Sequence, residues 1–147
     1  MILNTLHNQI AAALLPRLLL GVLFLFQGFD AVFRVKLKGI MAEIQPTLIA
    51  RGVPLFLITV GAYFTSYIEL ICGILVILGF VKYYALYLLG IDLLLATFAF
   101  SLVKPMWDMS HVFPRIVLLL FILIIPSNWD VISVDYVWSQ IKFPPSF

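Results

Sequence analysis

Residues 54–80 read PLFLITVGAYFTSYIELICGILVILGF, and after Val81 and Lys82, residues 83–102 read YYALYLLGIDLLLATFAFSL. Each stretch is long enough to cross the hydrocarbon core of a bilayer as a helix, which takes about 20 apolar residues. Both runs are continuous, whereas the strands of a membrane barrel are shorter and alternate in polarity. Only a tight turn fits between them, so the sequence predicts two antiparallel neighbouring helices.

Two further apolar stretches, residues 10–33 and 112–125, flank this pair, and the second of them is short. The sequence therefore predicts an all-α fold, an integral membrane four-helix bundle that forms a single transmembrane domain over residues 1–147. The chain is 64% hydrophobic and 11% charged, whereas soluble domains are about half apolar and a quarter charged. Arg17 interrupts the first stretch and no basic residue precedes it, so we expect this helix to be retained and not cleaved as a signal peptide.

The connections predict how the spans are arranged. Residues 34–53 mix apolar and basic side chains, so we expect an amphipathic helix at the membrane surface over residues 34–46, ended by Pro46, with an irregular loop as the alternative. The polar and aromatic tail, residues 126–147, is expected to lie along the surface. Four spans place both termini on one side, and the excess of Lys and Arg on the other side predicts that the termini lie outside.

Four ionisable residues lie within the apolar spans: Arg17, Glu69, Asp92 and Arg115. A charge at the bilayer centre costs at least about 2.5–3.5 kcal/mol, so such residues pair or serve a function. At about 1.5 Å per residue, the first three lie about 10–16 Å from the side that holds the termini. We therefore expect one deep cluster of Arg17, Glu69 and Asp92.

Arg115 begins the last span near the opposite side of the membrane, where Asp30 and Asp108 are its expected partners. Small and polar residues lie at helical spacing around the buried charges, and small residues let helices approach closely in lipid. These stripes are expected to face the bundle interior. They comprise Thr65, Ser66, Glu69, Cys72 and Gly73 on the second span and Arg17, Gly21, Phe24 and Gly28 on the first.

Several kinds of site are not expected. The net charge of +2 and the absence of a basic run argue against a nucleic-acid partner. The single cysteine, Cys72, cannot form an internal disulfide and reads as a small buried apolar residue. His7 and His111 lie on opposite sides of the membrane and cannot share a metal ion, so no metal site is expected.

The order and spacing of the motifs give a resemblance to a known family. Arg17-Leu-Leu-Leu-Gly21, Glu69-x-x-x-Gly73, Asp92 and Arg115 occur in sequence along the spans. Over residues 10–137 the chain resembles the DoxX family, small four-helix membrane proteins related to small subunits of terminal quinol oxidase and of thiosulfate:quinone oxidoreductase. The resemblance implies that Arg17, Glu69, Asp92 and Arg115 mark a ligand or proton site. Asp30 and Ser66 are secondary candidates from their own positions along the spans.

Two functions remain open at this level. The resemblance implies a subunit or accessory of a quinone-linked oxidoreductase system in the bacterial cytoplasmic (inner) membrane, with protein partners and the lipid bilayer around it. The alternative is a non-catalytic assembly or structural subunit of a larger complex, in which the charges only hold helices together. A small transporter or proton channel would need several copies of the chain. The sequence does not identify a cofactor, although a quinone is compatible with it.

Overall fold

The computed structural model describes residues 2–103 and 108–142 and contains six α-helices in that part of the chain. The helices are α1 (Ile2–Phe29), α2 (Lys36–Ala50), α3 (Leu55–Leu78), α4 (Lys82–Val103), α5 (Asp108–Ile124) and α6 (Val134–Lys142). A short 3-10 turn covers Ser127–Trp129. No strand occurs within the described residues, so the prediction of an all-α fold is confirmed.

Three helical segments are long and apolar enough to cross a bilayer: Thr5–Arg34, Leu55–Leu78 and Lys82–Val103. The first is α1 extended by one wide turn, Asp30–Arg34, in which the Val35 N–H donates to the Asp30 carbonyl over 2.8 Å. A shorter apolar helical segment covers Val112–Ile124. The chain is therefore a membrane helical bundle, as the sequence predicts.

The four apolar helices form a closed ring in which α1 contacts α3 and α5, and α4 contacts the same two helices. The core contains residues from all four of them, including Phe24, Val76, Leu89 and Leu119. Cys72 packs among these side chains with 1% of its surface exposed. It is therefore a small buried apolar residue, as expected from the sequence.

Glycines bring α1 and α3 together. A Cβ atom added at Gly73 would lie 2.6 Å from the backbone nitrogen of Leu25, and one at Gly21 would lie 2.6 Å from the Ile77 side chain. A Cβ atom at Gly28 would collide with the backbone of Leu70. The two backbones therefore touch where larger residues would separate them, which confirms that the small-residue stripes face the bundle interior.

Two predictions about the connections are wrong in detail. The surface helix does not end at Pro46, because α2 continues through it to Ala50. Proline fits the helical φ, although it removes the N–H that would bond to the Ala42 carbonyl and its ring crowds that carbonyl. Pro46 and Ala42 are both exposed, so that carbonyl can bond to solvent or head groups instead.

The tail lies on the surface only in part. The helix α6 exposes apolar side chains such as Val137, Trp138 and Ile141, as expected of a helix lying in the membrane interface. Asp130 and Ser133 just before it are buried. Residues 104–107 and 143–147, which belong to the predicted loop and tail, lie outside the described residues.

Replacing glycine by alanine should distinguish close contacts from open positions on the same helix. We expect Gly73→Ala and Gly28→Ala to lower the free energy of unfolding by about 1–3 kcal/mol, the usual cost of overpacking. Gly61→Ala is the matched control, because no atom lies within 4 Å of its added Cβ. There alanine should keep or raise stability, since it favours helix more than glycine. Thermal unfolding of the detergent-solubilised protein measures both, and equal effects at Gly61 and Gly73 would contradict the contact.

Candidate functional site

Arg17 lies at the end of the bundle and not in its middle. Its Nη1 donates hydrogen bonds to the carbonyls of Val76 (3.1 Å) and Ile77 (2.7 Å), close to the last residue of α3. Its Nη2 donates to the Ile132 carbonyl over 2.6 Å, and its Nε lies 3.2 Å from Asp130 Oδ1. With 1% of its surface exposed, the guanidinium is enclosed by the end of α3 and by the tail.

Asp130 joins two basic residues that come from different helices. Its Oδ1 faces Arg17 of α1, and its Oδ2 lies 2.7 Å from Nζ of Lys82, the first residue of α4. All three side chains are buried. We name Arg17, Lys82 and Asp130 the interfacial ion cluster. One carboxylate lies between two cations, so the cluster ties the tail to the middle of α1 and to the start of α4.

The turn between α3 and α4 is shaped to receive this tail. Gly79 ends α3 in the left-handed conformation (φ +64°), and a Cβ there would lie 2.5 Å from the Ser133 Cβ. The Asp135 carboxylate accepts hydrogen bonds from the backbone N–H groups of Val81 (2.8 Å) and Lys82 (2.9 Å). Its own N–H donates to the Gly79 carbonyl. A residue of the tail thus satisfies donors at the start of α4 that the helix itself leaves unbonded.

A second group of polar side chains lies near the middle of the spans: Gln27, Glu69, Asp92 and Arg115, which we name the midspan cluster. Gln27 Nε2 donates a hydrogen bond to Glu69 Oε1 over 2.6 Å. Glu69 and Asp92 are 3% and 0% exposed. The Asp92 charge acts on Glu69, and the Arg115 charge acts on both carboxyls. Each of the four apolar helices, α1, α3, α4 and α5, contributes one residue to the cluster.

Asp92 is the most enclosed member of the midspan cluster. Ten residues of α4 precede it and eleven follow it, so it lies at the middle of that helix. Within the described part of the chain, neither of its carboxyl oxygens has a hydrogen-bond partner of good geometry. The Thr65 hydroxyl lies close enough to interact with it, as does Arg115. A buried carboxyl at this depth is costly unless it is satisfied by a proton, a partner or a ligand.

The structure divides the predicted charges differently from the sequence estimate. The predicted cluster of Arg17 with Glu69 and Asp92 is wrong, because Glu69 precedes Val76 by seven residues, which is about 10 Å along α3. The depth estimate assumed that the first span starts at residue 10. Arg17 of α1 lies beside the last turn of the antiparallel α3. The residues of α1 that precede Arg17 therefore extend beyond the end of α3.

The charge of Arg115 acts on the deep carboxyls Glu69 and Asp92, a grouping that the sequence estimate does not contain. Asp30 pairs instead with Arg34, one turn later on an exposed surface, at 3.2 Å. The side chain of Asp108, the other expected partner, lies outside the described residues, as does that of His111. Ser66 is buried beside Glu69 and donates its hydroxyl to the Ala62 carbonyl over 2.8 Å. Ser66 therefore lies beside the midspan cluster, but its hydroxyl proton is already engaged in a hydrogen bond within α3.

Sequence reasoning missed Gln27, Lys82 and Asp130. Gln27 carries no charge and was passed over, although an amide within an apolar run is itself a signal. Lys82 and Asp130 lie in a turn and a tail, where charged residues are usually solvated. Only the return of the tail onto the bundle brings Asp130 to Arg17 and Lys82.

The family model named DoxX matches residues 12–102. The chain belongs to the DoxX family. The match includes three members of the midspan cluster, Gln27, Glu69 and Asp92, whereas Arg115 and Asp130 follow it along the chain. No curated protein and no solved structure matches this DoxX chain.

The side chains of this DoxX protein suit some ligands better than others. Among the described residues, no three His, Cys, Asp or Glu side chains lie close enough to hold a metal ion. The midspan cluster instead combines two carboxyls, an amide and a guanidinium within apolar walls. Such a set can donate, accept and exchange protons with a small polar head group.

Removing the shared carboxylate should show what the interfacial ion cluster contributes. We expect Asp130→Asn to lower the free energy of unfolding by about 3–5 kcal/mol, because it leaves two buried cations without their counter-charge. Asp30→Asn is the matched control, since its ion pair with Arg34 is exposed and contributes little. Denaturant unfolding in detergent gives both values, and limited proteolysis should cut the tail sooner in Asp130→Asn. Equal stability of the two variants would contradict the structural role of Asp130.

Proposed function

We propose that this DoxX protein binds a lipophilic ligand with a hydrogen-bonding head group at the midspan cluster, and that the ligand is a quinone. The protein would act as a subunit or accessory of a quinone-linked oxidoreductase system in the bacterial inner membrane. Glu69 and Asp92 would exchange protons with the head group, and Arg115 would stabilise negative charge on it. Arg17 has no direct part in this proposal, because its hydrogen bonds and its ion pair hold the tail.

The observation that carries the proposal is the pair of carboxyls from two helices in the middle of the bundle. A single buried ion pair would suffice to hold helices together, as the interfacial ion cluster already does. In the midspan cluster two acids face one guanidinium, so charge balance favours one additional proton. Two carboxyls that share a proton can pass it on, which is the property a proton-exchanging site needs.

The residues fit a quinone head group in chemical terms. Its carbonyl oxygens accept hydrogen bonds, which Gln27, Arg115 and a protonated carboxyl can donate. Asp92, whose oxygens have no well-aligned partner among the described residues, can supply the proton that a reduced head group requires. A bound quinone would supply the capacity to carry electrons together with protons, which these side chains lack.

The source of the electrons would be a partner protein. The side chains of the midspan cluster can move protons, but none of them is a redox group. The lipid-facing surfaces of α3 and α4 carry exposed aromatic residues, among them Tyr67, Tyr84 and Tyr87. Tyrosine is enriched at protein interfaces, because it offers apolar area with a polar tip. These surfaces support an association with other membrane subunits.

The alternative function is a non-catalytic assembly or structural subunit. It is supported by the interfacial ion cluster, in which buried charges from the tail, α1 and α4 lie together. Under that alternative the midspan cluster would do the same for α1, α3, α4 and α5. The two functions differ in what the isosteric amide variants change: ligand content in the first, stability or complex yield in the second.

Quinone content is the direct test. We expect protein purified gently from its native membrane to retain about one quinone per chain when its lipids are extracted and measured by mass spectrometry. Glu69→Gln and Asp92→Asn should each lower that content by about ten-fold, the effect of losing one charge-assisted hydrogen bond. Thr97→Val is the matched control on α4, because its hydroxyl donates to the Leu93 carbonyl one turn earlier in the same helix.

The same preparations separate the two functions. If the amide variants lose the quinone while melting at the wild-type temperature and keeping their co-purified proteins, the ligand site is supported. If no preparation contains a quinone, and the variants lose stability or partners instead, the structural alternative replaces it.

Infrared spectroscopy tests proton sharing independently of any ligand. We expect the protein in lipid to show the carbonyl band of a neutral carboxyl group at neutral pH, because one proton balances the midspan charges. Glu69→Gln or Asp92→Asn should remove or shift that band, whereas Asp135→Asn should leave it unchanged. A spectrum without a neutral carboxyl would contradict proton exchange at this site.

A further inference from the structure

Gln27 combines two properties that are rarely found together at its depth in a membrane protein. Its Nε2 donates to the buried Glu69 over 2.6 Å, yet the residue as a whole is exposed at the surface of the bundle. It follows Arg17, at the end of α3, by ten residues, which is about 15 Å along α1. Because the hydrocarbon core is about 30 Å thick, Gln27 lies near its middle.

An exposed amide has no favourable solvent at this depth. Lipid chains cannot bond to it, and an unsatisfied amide in hydrocarbon costs several kcal/mol. Its neighbours Leu23, Phe26 and Phe29 are apolar and exposed, as expected of a lipid-facing surface. Leucine at this position would avoid the cost. A role at Glu69 explains why an amide is present. Its hydrogen bond covers the Glu69 carboxyl, which a molecule within the bilayer must reach.

The exposed Gln27 side chain reaches the buried Glu69. Glu69 is 3% exposed, and its Oε1 accepts the hydrogen bond of the Gln27 amide. A Cβ atom at Gly28, the next residue, would collide with the backbone of Leu70, so α1 and α3 touch at this level. Rotation of the Gln27 side chain would therefore break the hydrogen bond to Glu69 without any movement of the two helices.

We propose that Gln27 is a gate through which a ligand dissolved in the bilayer reaches Glu69 sideways, from lipid and not from water. The ligand class is a lipophilic molecule whose head group takes the place of the Gln27 amide at Glu69. An oxidised quinone would accept a hydrogen bond from the protonated carboxyl, and a reduced quinone would donate one to the carboxylate. The gate makes Gln27 a positioning residue of the site. This inference rests on the ligand site proposed above, but the route to Glu69 can be measured without a natural ligand.

Carbodiimides measure that route. The O–H of a carboxylic acid adds across a C=N bond of the reagent, and the adduct rearranges to a stable N-acylurea with nothing released. Dicyclohexylcarbodiimide dissolves in the bilayer, whereas a carbodiimide bearing a charged amine stays in water. We expect the lipid-soluble reagent to modify Glu69 of the full-length protein in liposomes, as measured by mass spectrometry of the Glu69 peptide, and the water-soluble reagent not to do so.

Variants of Gln27 test the gate itself. Gln27→Ala should raise the rate of Glu69 modification by the lipid-soluble reagent about five-fold, the factor expected from loss of one hydrogen bond. Gln27→Asn, whose amide is one methylene too short, should behave similarly and provides a second variant if alanine destabilises the fold. Phe26→Ala is the control, because it removes more exposed bulk next to the gate without uncovering Glu69. Glu69→Gln confirms the modified residue.

Three outcomes would overturn the gate: equal modification by the two reagents, a rate unchanged in both Gln27 variants, or a larger increase in Phe26→Ala. Failure of the quinone proposal looks different. In that case the extracts contain no quinone, while Glu69 is still modified from the lipid and faster in Gln27→Ala. A lateral site would then remain, with a different lipophilic ligand.

Discussion

The hydrocarbon core accepts no unsatisfied charge, and each buried ionisable group in this DoxX protein is placed by that constraint. Arg17 cannot extend to water from its position between α3 and the tail, so the tail brings Asp130 to it, and Lys82 completes the cluster. The segment after α5 is therefore held by charge as well as by packing. Asp130 holds its beginning to Arg17 and Lys82, and Asp135 bonds its later part to the turn at Gly79 and to the start of α4.

The close contact of α1 and α3 likewise follows from the properties of lipid as a solvent. Lipid offers no hydrophobic force between helices, so contact depends on shape, and Gly21, Gly28 and Gly73 let the two backbones touch. This contact sets the register that places Gln27 beside Glu69. A closely packed pair of helices thus carries an exposed amide, which is a suitable arrangement for a site whose geometry must persist while a ligand enters.

The two charge clusters are unequal in a way that separates structure from function. The interfacial ion cluster contains one more cation than anion, and its Arg17 and Asp130 each have several partners. The midspan cluster contains one more acid than base, and Asp92 lacks a well-aligned partner within the described residues. Arg17 Nε and Asp130 Oδ1 also lack a well-aligned hydrogen-bond partner within the described residues, so the clusters differ mainly in charge. The surplus acid of the midspan cluster can be neutralised by a proton or satisfied by a ligand, which supports a ligand site there.

The sequence by itself determined the all-α membrane bundle, the burial of Cys72 and the inward-facing stripes, because apolar length and helical spacing are local properties. It also selected Glu69, Asp92 and Arg115 as unusual, since a charge within an apolar run is visible without coordinates. Only the tertiary structure decided the partners. A depth counted along one helix does not say how far that helix is shifted along its neighbour. Counting residues therefore places Arg17 beside the wrong carboxyls. Asp130 and Gln27 gained their roles because the tail returns to the bundle and because α1 and α3 touch, and neither contact is a property of one segment alone.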